Sequence, residues 1–278
     1  MKFFRPTLLL FALLLANESM SSAQGAASQP SSTDSPSLQG LVLPNPIKTG
    51  ILGSKTPQAL SEVTALIQAA SLGTWKDLQA TGTMTFPGGD THPASLSLSG
   101  SGYTRLDITM PSGTRSVRLR GPSGVYQSET GSRGSLPPAT AMAGVLALPR
   151  IWADAITGAR ISLFDGGTYP VLGKSLHRIS IEYPLQSGDP TSPTPSVATD
   201  LYLDPTTHLL MYSVDVVMFS EAHNQTFTRI ISYSSYQVLS GIVVPTSIQQ
   251  SINGQLQWTL AIAQLTLNTN PPASTFSF

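Results

Sequence analysis

The chain has 278 residues, with Lys+Arg and Asp+Glu balanced at 15 each and only 11% of positions charged, so it carries no electrostatic footprint for nucleic acid. It has no cysteine, which excludes disulfides, thiolate metal sites, a thiol nucleophile and a lipid-modified N-terminal cysteine. Stability must come from an apolar core, and Ser, Thr, Gln and Asn must supply most of the polar surface.

Lys2 and Arg5 precede an apolar run at 7–16, and Ser21-Ser22-Ala23 places small residues where a signal peptidase reads them. That run spans only about 15 Å as a helix, roughly half the hydrocarbon of a bilayer. Residues 1–23 are therefore read as a secretory signal peptide, and the mature chain as exported, periplasmic or secreted. No later segment reaches the ~18 uninterrupted apolar residues of a spanning helix. Residues 24–55 are rich in Ser, Pro, Thr, Gln and Gly, the composition of a disordered tether. Leu41-Val42-Leu43-Pro44 is an apolar island within it, read as local sticking with a recognition segment as the alternative.

An ordered domain is expected from 56 to 278. Thr56 suits a helix N-cap and Pro57 the first helical position. Leu60, Val63, Ile67 and Ala70 then recur at helical spacing before Gly73. From 78 the period changes to two, giving strands at 78–86, 94–98, 103–109, 116–120 and 125–128. The separations between them are too short for parallel crossovers, so neighbours must be antiparallel.

Pro137-Pro138 closes this group, and Met142, Val145, Leu146, Ile151, Trp152 and Ile156 follow at roughly helical spacing around Pro149. Strands resume at 161–164, 175–183, 198–203, 208–219, 225–238, 243–252 and 255–267. Asp204-Pro205 and Asn253-Gly254 mark turns. In the last strand Leu256, Trp258, Leu260 and Ile262 alternate with Gln257, Thr259, Ala261 and Ala263, but Leu265 and Leu267 fall one residue out of phase. A β-bulge near Ala263-Gln264 would restore the face and bend the strand. The fold expected is mainly β: a strongly curved antiparallel sheet, a half-open β-barrel, covered by an N-terminal helix and a mid-chain helical insertion.

Several segments resemble the LolA/LolB/RseB superfamily of lipoprotein-carrier-like proteins. Leu201-Tyr202-Leu203-Asp204-Pro205 is similar to its strand, Asp-Pro, turn step. Tyr236-Gln-Val-Leu-Ser-Gly-Ile-Val-Val-Pro245 is similar to its entry into the penultimate strand, and Leu265 to Asn268 with Phe276 to its close. The resemblance covers 56–278. It implies a half-barrel with an apolar cavity for acyl chains; the tether and the lack of a motif for handing on cargo depart from the carrier members.

No catalytic constellation stands out. The histidines His92, His177, His208 and His223 lack zinc-binding spacing, and His92 and His208 read as surface residues. No Gly-x-Ser-x-Gly elbow, phosphate loop or dinucleotide fingerprint occurs. Asp215 interrupts an apolar strand, sharing a polar face with Ser213. The expectation is a non-enzyme without cofactor or metal, carrying a lipid or acyl chain in the bacterial envelope. Its candidate cavity residues are Trp75, Met142, Leu146, Trp152, Leu163, Tyr202, Val214, Val216, Phe227, Trp258 and Leu260. Arg105, Arg115, Arg118 and Arg120 form the one basic cluster, a solvated face or a contact for an anionic headgroup or partner protein. The alternative is an envelope sensor or assembly module acting through another envelope protein.

Overall fold

The computed structural model describes residues 38–71, 75–99, 102–120, 123–136, 155–185, 196–218 and 226–277. The expected signal peptide and most of the expected mid-chain helical insertion lie outside them. Among the described residues one helix, α1 (Pro57–Ala69), precedes β1 (Asp77–Thr85), β2 (Thr91–Ser99), β3 (Tyr103–Met110), β4 (Gly113–Arg120), β5 (Ser123–Gln127) and β6 (Arg133–Leu136). There follow β7 (Ser162–Val171), β8 (Lys174–Pro184), β9 (Ser196–Leu203), β10 (Leu210–Met218), β11 (Thr226–Leu239), β12 (Ile242–Ile252) and β13 (Gln255–Leu267). A 3-10 turn, Ala273–Phe276, lies near the end of the chain.

These 13 strands form one antiparallel sheet in the order β6-β5-β4-β3-β2-β1-β13-β12-β11-β10-β9-β8-β7. It is two meanders, β1–β6 and β7–β13, sealed by pairing of the first strand with the last. The two ends of the sheet, β6 and β7, are not paired with each other, so the sheet is open. Three hairpins turn through Leu172-Gly173, Ser240-Gly241 and Asn253-Gly254, all with positive φ at both residues. That conformation matches the right-handed twist of the flanking strands.

The bulge expected in β13 is present. Thr81 pairs with Gln264 and Gly82 with Ile262, which leaves Ala263 as the extra residue. Leu265 and Leu267 thereby return to the face of Leu260. Two features were missed in the sequence: β6, and the second half of β7, where Gly166-Gly167 carry a register shift that interrupts the alternation.

The helix begins as expected. Thr56 is its N-cap residue and Pro57 occupies the first turn. The Thr56 hydroxyl does not cap the helix but accepts a hydrogen bond from the Asp165 amide at 3.1 Å, tying the helix start to β7. Ala59, Val63 and Leu66 are buried against the sheet face carrying Ile179 and Ile181. We call this the inner face.

Parts of the outer face are covered by residues 38–55 and, over β3 and β4, by the segment around Thr275 to Ser277. Residues 38–55, expected to be part of a loose tether, lie along β8 to β12. Leu38 and Leu43 are 1% and 4% exposed and pack with Val171, Leu176, Tyr202, Tyr212, Val214 and Ile230. At the far end of this strap Ser54 and Thr56 bond to the backbone of Leu163, each at 2.9 Å, partly occupying the open edge of β7.

Candidate functional site

Period-two alternation sorts the candidate residues onto two faces. Leu163, Trp258 and Leu260 belong to the inner cluster, which runs from Ile181 through Ile248 to Leu96 and Leu106 and includes the buried stripe of α1. Trp75 packs against the end of this cluster. Phe227, half-buried, stands on the same side of β11 as Arg229, two residues away. Met142, Leu146 and Trp152 lie outside the described residues.

Tyr202 and Val214 do not share that interior. They belong to the outer cluster beneath the strap, and Val216, two residues beyond Val214, falls on the same side. The sequence reading offered all of these as candidates from which one cavity would draw its lining, and both faces of β8 to β11 carry large apolar residues. Leu201 and Leu203 point to the inner cluster while Tyr202 points to the outer one. Burial raises the Tyr202 phenol well above its usual range.

Asp215 and Ser213 share a face, as alternation requires, but that face is the buried interior rather than a solvated surface. Arg229 clasps Asp215 through Nε at 2.9 Å and Nη2 at 2.8 Å. Ser213 and Tyr233 pair through their hydroxyls at 3.2 Å. Burial pushes the Asp215 carboxyl upward, and the Arg229 charge and hydrogen bonds oppose it. His92, read as a surface residue, is buried and pairs with Asp90 at 2.8 Å. His208 is partly buried, and its Nδ1 lies 3.1 Å from Glu62 Oε2. Among the described residues no group of three His, Cys, Asp or Glu side chains is placed to hold a metal ion.

Beneath the strap, β8 and β9 present polar side chains that bind strap backbone. Arg178 donates to the Asn45 carbonyl at 2.9 Å, and Asp200 accepts the Ile47 amide at 3.2 Å. Ser180 donates to the Ile47 carbonyl at 2.7 Å. Glu182 accepts the Thr49 and Gly50 amides at 3.0 and 3.2 Å. Burial alone would raise the Glu182 carboxyl, but bonds from Ser196, Thr49 and Gly50 hold it below its ordinary value.

The basic cluster divides as the register of β3 and β4 dictates. Arg105 faces Arg118, and Tyr103 faces Arg120, on the outer side; Arg115 is on the other side. Arg115 donates to Glu129 at 2.6 and 2.7 Å. Arg105 bonds Asp107 at 2.6 Å and the Thr275 carbonyl at 3.0 Å, while Arg118 donates to the Ser277 carbonyl. Two of the four thus hold the C-terminal segment against β3 and β4. Beside that segment lies a cleft of about 870 Å³ lined by Trp75, Lys76, Tyr103, Arg120 and Phe276 among others. It joins Trp75 and Arg120, which the sequence reading had placed in different sites.

No family model matches the sequence, and no curated protein matches it. Solved structures match the fold. A DUF1329 family protein from Desulfovibrio piger superposes with a TM-score of 0.51 at 10% identity, over 80% of this chain and 98% of that one. A domain assigned to outer membrane lipoprotein sorting, from Vibrio parahaemolyticus, gives 0.50 at 10% identity over 79% and 96%. A LolA superfamily protein from Nitrosomonas europaea gives 0.49 at 12% identity over 79% and 97%. The first two carry the comparison: this chain shares its fold with that DUF1329 protein and with that lipoprotein-sorting domain. The resemblance expected from Leu201 to Pro205 and from Tyr236 to Pro245 therefore holds at the level of the fold.

Proposed function

We propose that this chain is an exported, non-enzymatic carrier that holds a lipid or acyl chain against the inner face of a half-open barrel. The observation that supports the reading is the connected apolar cluster of the inner face, from Leu106 and Leu96 through Leu260 to Ile181, on a sheet that does not close. The α1 helix covers it on the β7 and β8 side. The likeness to a lipoprotein-sorting domain adds support. No helix among the described residues is long and apolar enough to cross a membrane.

Burial of an acyl chain contributes about 0.8 kcal/mol per methylene. A chain of roughly twelve carbons would gain about 10 kcal/mol before the cost of association. The test is native mass spectrometry of the signal-free protein, purified without detergent, with solvent extraction of what travels with it. A lipid or fatty acid at near-unit occupancy is expected. An apo mass, with no uptake of a fluorescent acyl probe, would make the inner face an ordinary core and shift the reading to a protein-interaction module.

A further inference from the structure

We propose that the cleft beside the C-terminal segment is a second ligand site, and that it binds an anionic amphiphile: a short acyl chain ended by a carboxylate. It opens on the outer side of β3 and β4, away from the inner face except at Trp75, which also packs against the end of the inner cluster. Its walls are aromatic. Tyr103 and Phe276 stand 5.8 Å apart between ring centroids, tilted at 40°, and Trp75 completes the apolar lining.

Its charge is unmatched. In a chain this sparing with charge, Arg105, Arg115, Arg178 and Arg229 are each paired with a carboxylate. Arg120 and Lys76, both exposed at the cleft, have no such partner among the described residues. Asp77, the neighbouring anion, is buried and already occupied by the Thr269 amide and hydroxyl and the Asn270 amide, at 2.7, 2.8 and 3.1 Å. The Arg120 guanidinium lies 4.9 Å from the Tyr103 ring centroid. A guanidinium held over a ring by this attraction still carries N–H donors that an aromatic face does not saturate. The Trp75 Nε1–H, enclosed and without an acceptor, is a further donor in the wall. Aromatic surface beside two unpaired cations fits a ligand with an apolar body and a negative end.

The test uses a terminally brominated dodecanoate, which quenches tryptophan on contact, with the matching brominated alcohol as the uncharged probe. The whole signal-free chain is titrated as wild type, Trp75→Phe, Arg120→Gln, Arg120→Lys and Lys76→Gln, each checked for a native circular dichroism spectrum. The carboxylate should quench the wild type and lose most of that quenching in Trp75→Phe. Arg120→Gln should weaken it roughly tenfold, with Arg120→Lys recovering part of the loss. Quenching that survives Trp75→Phe and ignores Arg120→Gln would place the chain elsewhere, overturning the cleft site while leaving the inner-face reading intact. Equal binding of acid and alcohol would remove the cations from the site, and absence of quenching in the folded wild type would remove the site.

Discussion

Arg229 and Asp215 face each other across β11 and β10 as a bidentate pair on the inner face, with side chains only 6% and 3% exposed. An ion pair taken this far from water gains little over a well-packed apolar pair, but losing one member strands the other. Arg229→Met should therefore cost about 3–5 kcal/mol, whereas Asp215→Leu/Arg229→Met should fall within about 1 kcal/mol of the wild type or above it. The stranded Asp215 in Arg229→Met keeps only the upward push of burial. A raised folded pKa means that the native state binds more protons, so this variant should lose stability as pH rises through that pKa. Urea unfolding at about pH 5 and about pH 8 reads both effects.

The bulge in β13 has its counterpart in Gly82. A Cβ there would stand 1.9 Å from the Ala261 carbonyl oxygen, and the obstacle is backbone. Gly82→Ala should destabilise by about 1–3 kcal/mol, the range of overpacking, read as a lower urea midpoint. A neutral Gly82→Ala would mean that β1 and β13 can separate locally at no cost.

Most of the strands were legible because alternation and short turns are local signals. The β13 bulge could be placed near Ala263-Gln264 because Leu265 breaks a phase set by Trp258 and Leu260. Which face each residue serves was not legible. Strands β9 to β11 bury apolar residues on both sides, Leu201 and Ile231 within and Tyr202, Val214 and Ile230 beneath the strap, so apolarity alone cannot separate inner from outer. The strap escaped notice for a different reason. It is held mainly through its backbone, by Arg178, Asp200, Ser180 and Glu182, and a backbone bonded by side chains leaves no hydrophobic period to read. The cleft joins Trp75, Arg120 and Phe276 from distant parts of the chain, which periodicity cannot bring together.

Glu129 gives the acid branch of stability a specific source. Its hydrogen bond from Arg115 outweighs burial and holds the carboxyl below its ordinary value. A depressed folded pKa contributes stability present above the unfolded pKa and lost as pH falls through the folded one. The wild type should therefore lose more stability than Arg115→Gln between about pH 5 and about pH 3. Parallel acid titrations of the two proteins by circular dichroism would show it, and superimposable curves would remove the pair from the account.

The strap makes the strongest distinction between a tether and a structural element. Leu43 is buried in the outer cluster with Tyr202 and Val214, so Leu43→Ala should cost about 2–4 kcal/mol. Asp200 is fully buried, accepts the Ile47 amide at 3.2 Å and takes Arg178 Nε at 2.6 Å. Asp200→Ala should cost about 3–5 kcal/mol because it leaves Arg178 without its anion. Limited proteolysis separates this from general unfolding. Cleavage within 38–51 should accelerate in Asp200→Ala under conditions where the sheet stays intact, since the strap is fastened by side chains and the sheet by its own ladder. If the strap is cut no faster than in the wild type, its backbone bonds to β8 and β9 do not hold it, and Leu38 and Leu43 alone must anchor it.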